Sequence, residues 1–171
     1  MHVERTLRNV GNVANLSTPL GLAAAALGGA RLRMMDGLIV ADQARLPFLR
    51  ASAMTVGSVV LIPRCPLDDV RARIPGLLAH EDQHAYQWAY CLGLPFIPLY
   101  MAATAWSWLR TGDRATANHF ELQAGLELGG YEVGTSRSPG IGVRAIMRLL
   151  SGAVARRSGR PGAANAADAG A

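Results

Sequence analysis

His80, Glu81 and His84 form a His-Glu-x-x-His motif within a segment whose pattern predicts a helix over residues 76–92. A proline precedes this segment and a glycine follows it, as is typical where helices begin and end. Side chains four residues apart on a helix lie about 40° from each other around its axis. The two imidazoles therefore project side by side and can bind one metal ion, which constrains the fold more than any other feature.

The motif predicts zinc, which in catalytic sites takes three protein ligands and keeps one position open for water. The two histidines therefore need a third ligand. Glu121 is the best candidate, because a carboxylate early in a second, otherwise apolar helix needs a partner. Glu127 is the alternative carboxylate and His119 the alternative nitrogen ligand. On a helix His119 would lie about 200° from Glu121, so these two side chains cannot face the same ion.

Glu81 is predicted to act on water rather than to bind the metal. It lies about 100° from His80 around the helix axis, at the rim of the same face. From there its carboxylate can reach a water molecule whose pKa the zinc has lowered toward neutrality. The residues thus predict a zinc-dependent hydrolase with Glu81 as the catalytic base and His80, His84 and Glu121 as the metal ligands.

This pair of motifs resembles those of the gluzincin group of zinc metallopeptidases, which are thermolysin-like in their ligands. The Asn-x-Phe-Glu-x-x-Ala pattern around Glu121 is similar to the second motif of small uncharacterised bacterial members, and both motifs together cover about a third of the chain. The resemblance implies a zincin-like core, a peptide or protein substrate, and Glu81 as general base and proton shuttle. It also implies an edge strand that aligns the peptide, for which residues 55–62 are the candidate.

The resemblance leaves the side chain that would stabilise the oxyanion open. Four residues are eligible for it: Tyr86, Tyr100, His119 and Tyr131. Asp82 and Gln83, which stand between the two histidines, are expected to be solvated helix residues.

The length and patterning predict one domain over residues 1–157, followed by a disordered, low-complexity tail over 158–171. The expected fold class is α+β, mainly helical, with a small β-sheet packed beside the His-Glu-x-x-His helix. The predicted strands are a hairpin over residues 32–40 and a strand over 55–62. The predicted helices are residues 16–30, a short turn after Asp69, 76–92, 98–110, a helix capped by Thr116 or Asn118 that ends before Gly129, and 142–156.

Composition limits the partners. The formal charge of +5 comes entirely from arginine, since the chain has no lysine, and the arginines are scattered without a nucleic-acid motif, so no nucleic acid partner is expected. Half of the residues are hydrophobic, which leaves peripheral membrane contact open. The uncharged run over 85–109 contains a glycine and two prolines, so it predicts a buried or interfacial helix rather than a membrane span. Cys65 and Cys91 form no disulfide framework, as a reducing, cytoplasmic location would permit.

The N-terminus has the outline of a signal peptide, with Arg5 and Arg8 before an apolar stretch over residues 19–30. Glu4 and the polar Asn12 interrupt this outline, so a cleaved signal is disfavoured.

Two functions other than a hydrolase stay open. In the first, zinc only ties helices together, in a closed site with four ligands. In the second, the chain is a membrane-associated scaffold, in which the uncharged run and the arginine-rich helix over 142–156 bind lipid and the motif is incidental.

Overall fold

The computed structural model describes residues 2–47, 51–132, 142–144 and 147–148. Within these residues the fold is α+β and mainly helical with one small sheet, which confirms the predicted fold class. The elements follow in this order: α1 (His2–Ala14), α2 (Ser17–Leu27), β1 (Arg31–Met35), β2 (Leu38–Ala44), β3 (Met54–Val56), β4 (Val59–Pro63), α3 (Leu67–Arg73), α4 (Leu77–Tyr90), α5 (Phe96–Thr111) and α6 (His119–Ala124). The expected tail over 158–171 and most of the predicted helix over 142–156 lie outside the described residues.

The four strands form one mixed sheet in the order β1-β2-β4-β3. β1 and β2 are the predicted hairpin, and their turn places Asp36 and Gly37 at φ values of 52° and 80°. Positive φ at both central residues matches the right-handed twist of the strands, which is why an Asp-Gly pair stands there. β2 runs parallel to β4, and β3 pairs antiparallel with β4 at the edge of the sheet.

The prediction of a single strand over 55–62 was wrong, because the chain reverses direction in the middle of this apolar run. Gly57, with φ of 62°, and Ser58 separate β3 from β4. A Cβ atom on Gly57 would lie 2.4 Å from the backbone nitrogen of Thr18, so only glycine fits this turn beneath α2. The β-branched residues on both sides of the turn conceal it in the sequence.

The sheet lies between two helical layers. α2 packs on one face of β3 and β4, while α3 and α4 pack on the other side. The central strand β4 is covered on both faces, and its residues Val59, Val60, Leu61 and Ile62 are all 0% exposed. A continuous apolar run is the expected sequence of such a doubly covered strand.

α1 turns its polar side toward the protein. Arg8, 2% exposed, forms an ion pair with Asp82 of α4, and the buried Asn12 Nδ2 donates to the Ala85 carbonyl oxygen at 2.9 Å. The expectation that Asp82 is solvated was therefore wrong, because its partner stands 74 residues earlier in the sequence. Gln83 is exposed, as expected.

No described helix is by itself long and apolar enough to cross a membrane. The segments Val3–Ala14 and Ser17–Leu27 reach the required length and composition only as a pair, with a 75° bend between them. The predicted buried or interfacial helix over 98–110 is α5, whose buried residues are Phe96, Ser107 and Thr111.

Candidate metal centre

α4 holds both histidines of the motif and lies within the predicted helix range. The imidazole rings of His80 and His84 meet edge to face, with centroids 4.7 Å apart and Nε2 atoms 3.1 Å apart. Their side chains are buried, with 2% and 7% of their surface exposed. The side-by-side arrangement expected from the helical spacing is therefore present.

The short helix α6 brings Glu121 to the histidines. Asn118 caps this helix, because its Oδ1 accepts a hydrogen bond from the Phe120 backbone N–H at 3.0 Å. α6 ends at Ala124, earlier than predicted, since Gly125 with φ of 88° stops it. Glu121 Oε2 lies 3.2 Å from His80 Nε2, and Oε1 lies 3.6 Å from His84 Nε2. Candidate ligand atoms of His80, His84 and Glu121 all lie within 4.8 Å of one another.

These distances fit one tetrahedral ion. Ligand atoms about 2.0–2.1 Å from zinc at tetrahedral angles are separated by about 3.3–3.5 Å from one another. The two Nε2 atoms are 3.1 Å apart, and they lie 3.2 and 3.6 Å from two different oxygens of the Glu121 carboxylate, all close to that value. The three side chains are therefore close enough to share one metal ion.

Hydrogen bonds to the far side of each imidazole direct the Nε2 lone pairs toward Glu121. His80 Nδ1 lies 3.0 Å from the Gly125 carbonyl oxygen, and His84 Nδ1 lies 2.7 Å from Gln87 Oε1. Both partners are acceptors, so each Nδ1 carries the proton in the neutral ring. Glu121 Oε2 is buried and has no hydrogen-bond donor. Three electron-pair donors thus converge on one point, an arrangement that a cation stabilises.

The charges of the site also favour a bound cation. Burial acts to raise the pKa of Glu121, but its contacts with His80 and His84 outweigh burial and hold that pKa well below its usual range. Burial acts to lower the pKa of His84, whereas Glu121 and the charge of Glu81 raise it above the usual value. The ionised carboxylate therefore attracts a positive charge, either a proton on His84 or a metal ion. Because the metal must displace that proton, acid opposes metal binding.

Glu81 lies beside the cluster and outside it. Its side chain is 3% exposed, and its Oε2 accepts a hydrogen bond from Thr55 Oγ1 at 2.7 Å. Thr55 belongs to the edge strand β3, and its carbonyl oxygen accepts from Trp88 Nε1 at 2.9 Å. These bonds hold the Glu81 carboxylate and α4 against the edge strand β3.

The cluster forms part of the wall of a cavity of about 420 Å³. His80, His84, Glu121 and Glu81 all face this space. Apolar side chains from three other elements complete most of the wall: Leu20 and Ala24 of α2, Met54 and Val56 of β3, and Phe96, Ile97 and Met101 of α5. The three clustered side chains thus border a mainly apolar space.

Two of the four candidates for the oxyanion line the cavity. The Tyr100 hydroxyl donates a hydrogen bond to Glu121 Oε1, and the Tyr131 ring lies 5.8 Å from the His80 ring. Burial raises the pKa of both tyrosines well above the usual value, so both hydroxyls stay protonated. Tyr86, in contrast, stacks under the guanidinium of Arg8.

Neither alternative ligand belongs to the three-residue cluster. His119 is exposed and its ring stacks against Phe120, and Glu127 is exposed as well. The geometry thus favours Glu121 among the three candidates considered from the sequence.

Sequence reasoning missed the residues that hold the imidazoles in place. Gln87 is 1% exposed, and its amide donates to the Phe120 carbonyl oxygen while its Oε1 faces His84. A Cβ atom on Gly129 would lie 2.8 Å from His80 Cε1, so the segment after α6 needs glycine where it covers that ring. The one available signal was the spacing of Gln87, three residues after His84 and on the same helix face.

No protein-family model matches the chain, and comparisons with curated proteins and with solved structures give no significant match. The chemistry of the site therefore rests on its own geometry.

Replacing Gln87 by Met is expected to lower zinc affinity by about 10–100-fold, since partners that orient metal-binding histidines have effects of this size. The measurement is competition with a chromogenic zinc chelator. Gln83→Met, an exposed glutamine on the same helix, is the matched control and should bind zinc like the wild type. Equal affinity in the two variants would contradict an orienting role for Gln87.

Proposed function

We propose that this protein is a zinc-dependent hydrolase, most simply a metallopeptidase of the gluzincin type. The observation that carries the proposal is the convergence of His80, His84 and Glu121 at the wall of a cavity that Glu81 also lines. A zinc ion held by these three ligands would keep a fourth position open for water, as catalytic zinc sites do.

The proposed mechanism assigns a separate task to each residue. Bound zinc would supply a water of lowered pKa and polarise the substrate carbonyl. Glu81 accepts the proton of the attacking water and then passes it to the leaving amine. Thr55 holds one carboxylate oxygen of Glu81, which orients the base. Tyr131 is the candidate donor to the oxyanion, because the Tyr100 hydroxyl is already bonded to Glu121.

The proposed substrate is a peptide or protein. β3 is an edge strand beside α4, and main-chain hydrogen bonds to such an edge can align an extended peptide over the cavity. With three residues, β3 offers only a short edge. Both cysteines, Cys65 and Cys91, are free, which is in keeping with the cytoplasmic location that we propose.

A purely structural zinc site is the alternative that the geometry supports less. Such a site is closed by four protein ligands. Among the described residues the cluster supplies three, and they border a cavity large enough for a substrate side chain.

The test combines metal analysis with an activity screen. We expect one zinc per purified chain by elemental analysis, and cleavage of a mixed peptide library by mass spectrometry. A chelator should stop cleavage, and added zinc should restore it. A chain that binds no metal stoichiometrically would refute the zinc site. If the chain binds stoichiometric zinc but cleaves no peptide, ester or amide substrate, the hydrolase proposal is wrong and the zinc site is structural.

A further inference from the structure

The outer face of α1 is apolar. Val3, Leu7 and Val10 follow one another at helical spacing and are 71%, 66% and 61% exposed. Amphipathic helices normally pack such a stripe on the core. Here the opposite face is buried, because Arg8 and Asn12 bind α4. Polar contacts on the inner face of α1 thus hold its apolar face outward. An exposed apolar face of this kind marks an interaction site.

The apolar surface continues from α1 to the connection between α4 and α5. A Cβ atom on Gly93 would lie 2.9 Å from Asn15, so these two segments are in close contact. Their neighbours Leu16 and Leu92 are 67% and 76% exposed. Exposed apolar side chains thus stand on both of the segments that connect α1 to the start of α5.

The same surface surrounds the mouth of the cavity. Leu20 of α2 and Ile97 and Met101 of α5 line the cavity, yet they are 43%, 41% and 66% exposed, so they form its rim. α2 contains no charged residue, and Arg110 is the only one in α5. We call these exposed apolar side chains, from the outer face of α1 through Leu16 to the rim, the apolar patch.

A group of arginines lies at the far end of α2. Arg31, Arg45 and Arg64 line a second cavity, of about 310 Å³, together with Gly29. In the part of the chain that the structure describes, none of the three arginines pairs with a carboxylate. Leu27, two residues before Gly29, is 87% exposed. An exposed apolar side chain thus stands two residues from the lining of this arginine-rich cavity.

We propose that the apolar patch and these three arginines bind the surface of an anionic lipid bilayer, with the mouth of the cavity facing the lipid. Apolar helix faces flanked by arginines bind bilayers by burying apolar area and by attraction to anionic headgroups. A second copy of the chain carries the same formal charge of +5 and offers these arginines no complementary charge, whereas anionic headgroups do. Given the hydrolase function proposed above, the substrates would be apolar peptide segments held at the bilayer.

Vesicle flotation of the full chain tests this proposal. Wild type should float with vesicles of equal parts phosphatidylcholine and phosphatidylglycerol, and less so at high salt. The double variant Leu7→Glu, Val10→Glu should reduce the bound fraction by about tenfold or more, because it places charge in the inserted face. Arg31→Gln with Arg45→Gln should weaken binding to the anionic vesicles by about tenfold. Leu122→Glu is the control, since Leu122 is 53% exposed on α6, outside the patch, and should leave binding unchanged.

The bilayer proposal can be refuted without refuting the hydrolase proposal, and the reverse is also true. His84→Ala, without its metal site, should bind vesicles like the wild type. A wild type that stays unbound, or charge variants that bind as well as the wild type, would overturn the docking surface. It would also be overturned by a wild-type dimer that ignores vesicles and that Leu7→Glu, Val10→Glu converts to a monomer, since the patch would then be an interface between copies.

Discussion

The Glu81→Gln variant is expected to lose hydrolytic activity while it keeps its zinc. General bases contribute about 10²–10⁴-fold to rate, so turnover should fall by that factor, to near background. Zinc should stay bound because Glu81 is not part of the three-residue ligand cluster. Glutamine keeps an oxygen that can accept the hydrogen bond of Thr55, so the fold around the site should not change. The measurements are kcat on a cleaved peptide and zinc content of the same sample.

Glu127→Gln is the matched control for this substitution. Glu127 is an exposed glutamate outside the cluster, so its variant should retain full activity. Full activity in Glu81→Gln would refute the proposed base. Loss of zinc in that variant would instead mean that Glu81 itself holds the metal.

The His84→Ala variant is expected to lose the metal altogether. Removal of one of three protein ligands should weaken zinc binding by more than about 100-fold. This effect is larger than the loss expected when a residue that only orients a ligand, such as Gln87, is replaced. The side chain of His84 is also buried and bonded to Gln87, so the variant leaves an amide oxygen without its donor. Elemental analysis after dialysis measures the zinc, and thermal unfolding with and without added zinc measures its contribution to stability.

His119→Ala provides the comparison. His119 is exposed and was the alternative nitrogen ligand from the sequence, so this variant should keep one zinc per chain. If His84→Ala retained its zinc while His119→Ala lost it, the ligand set proposed here would be wrong.

Local spacing explains why the relation of the two histidines could be predicted from the sequence. Residues four apart on one helix have a relative position that the helix geometry determines, whatever packs around them. That Glu121 lies near the two histidines could be inferred only from its chemistry, because a buried carboxylate needs a partner. The actual distance depends on how α6 packs on α4, a long-range contact that no spacing in the sequence specifies.

Features that depend on partners far along the chain could not be predicted. The apolar stripe of α1 would suggest that this face is buried, whereas the ion pair of Arg8 with Asp82 turns it outward. The turn at Gly57 could not be recognised in the sequence because the residues around it are apolar and β-branched. Glycine is required there because the backbone of Thr18, in α2, lies too close for a side chain. Each of these outcomes is decided by tertiary contacts that override the local pattern.

The length of α6 has a consequence for how this end of the molecule is held. A helix of six residues is too short to be stable by itself, and tertiary contacts such as the packing of Phe120, the bond of Gln87 to its carbonyl oxygen and the partners of Glu121 keep it in place. An ion shared by Glu121 and the α4 histidines would hold together two segments that are distant in sequence. The coordination bonds proposed to activate water would then also hold α6 in place, so that loss of the ion would loosen one wall of the cavity.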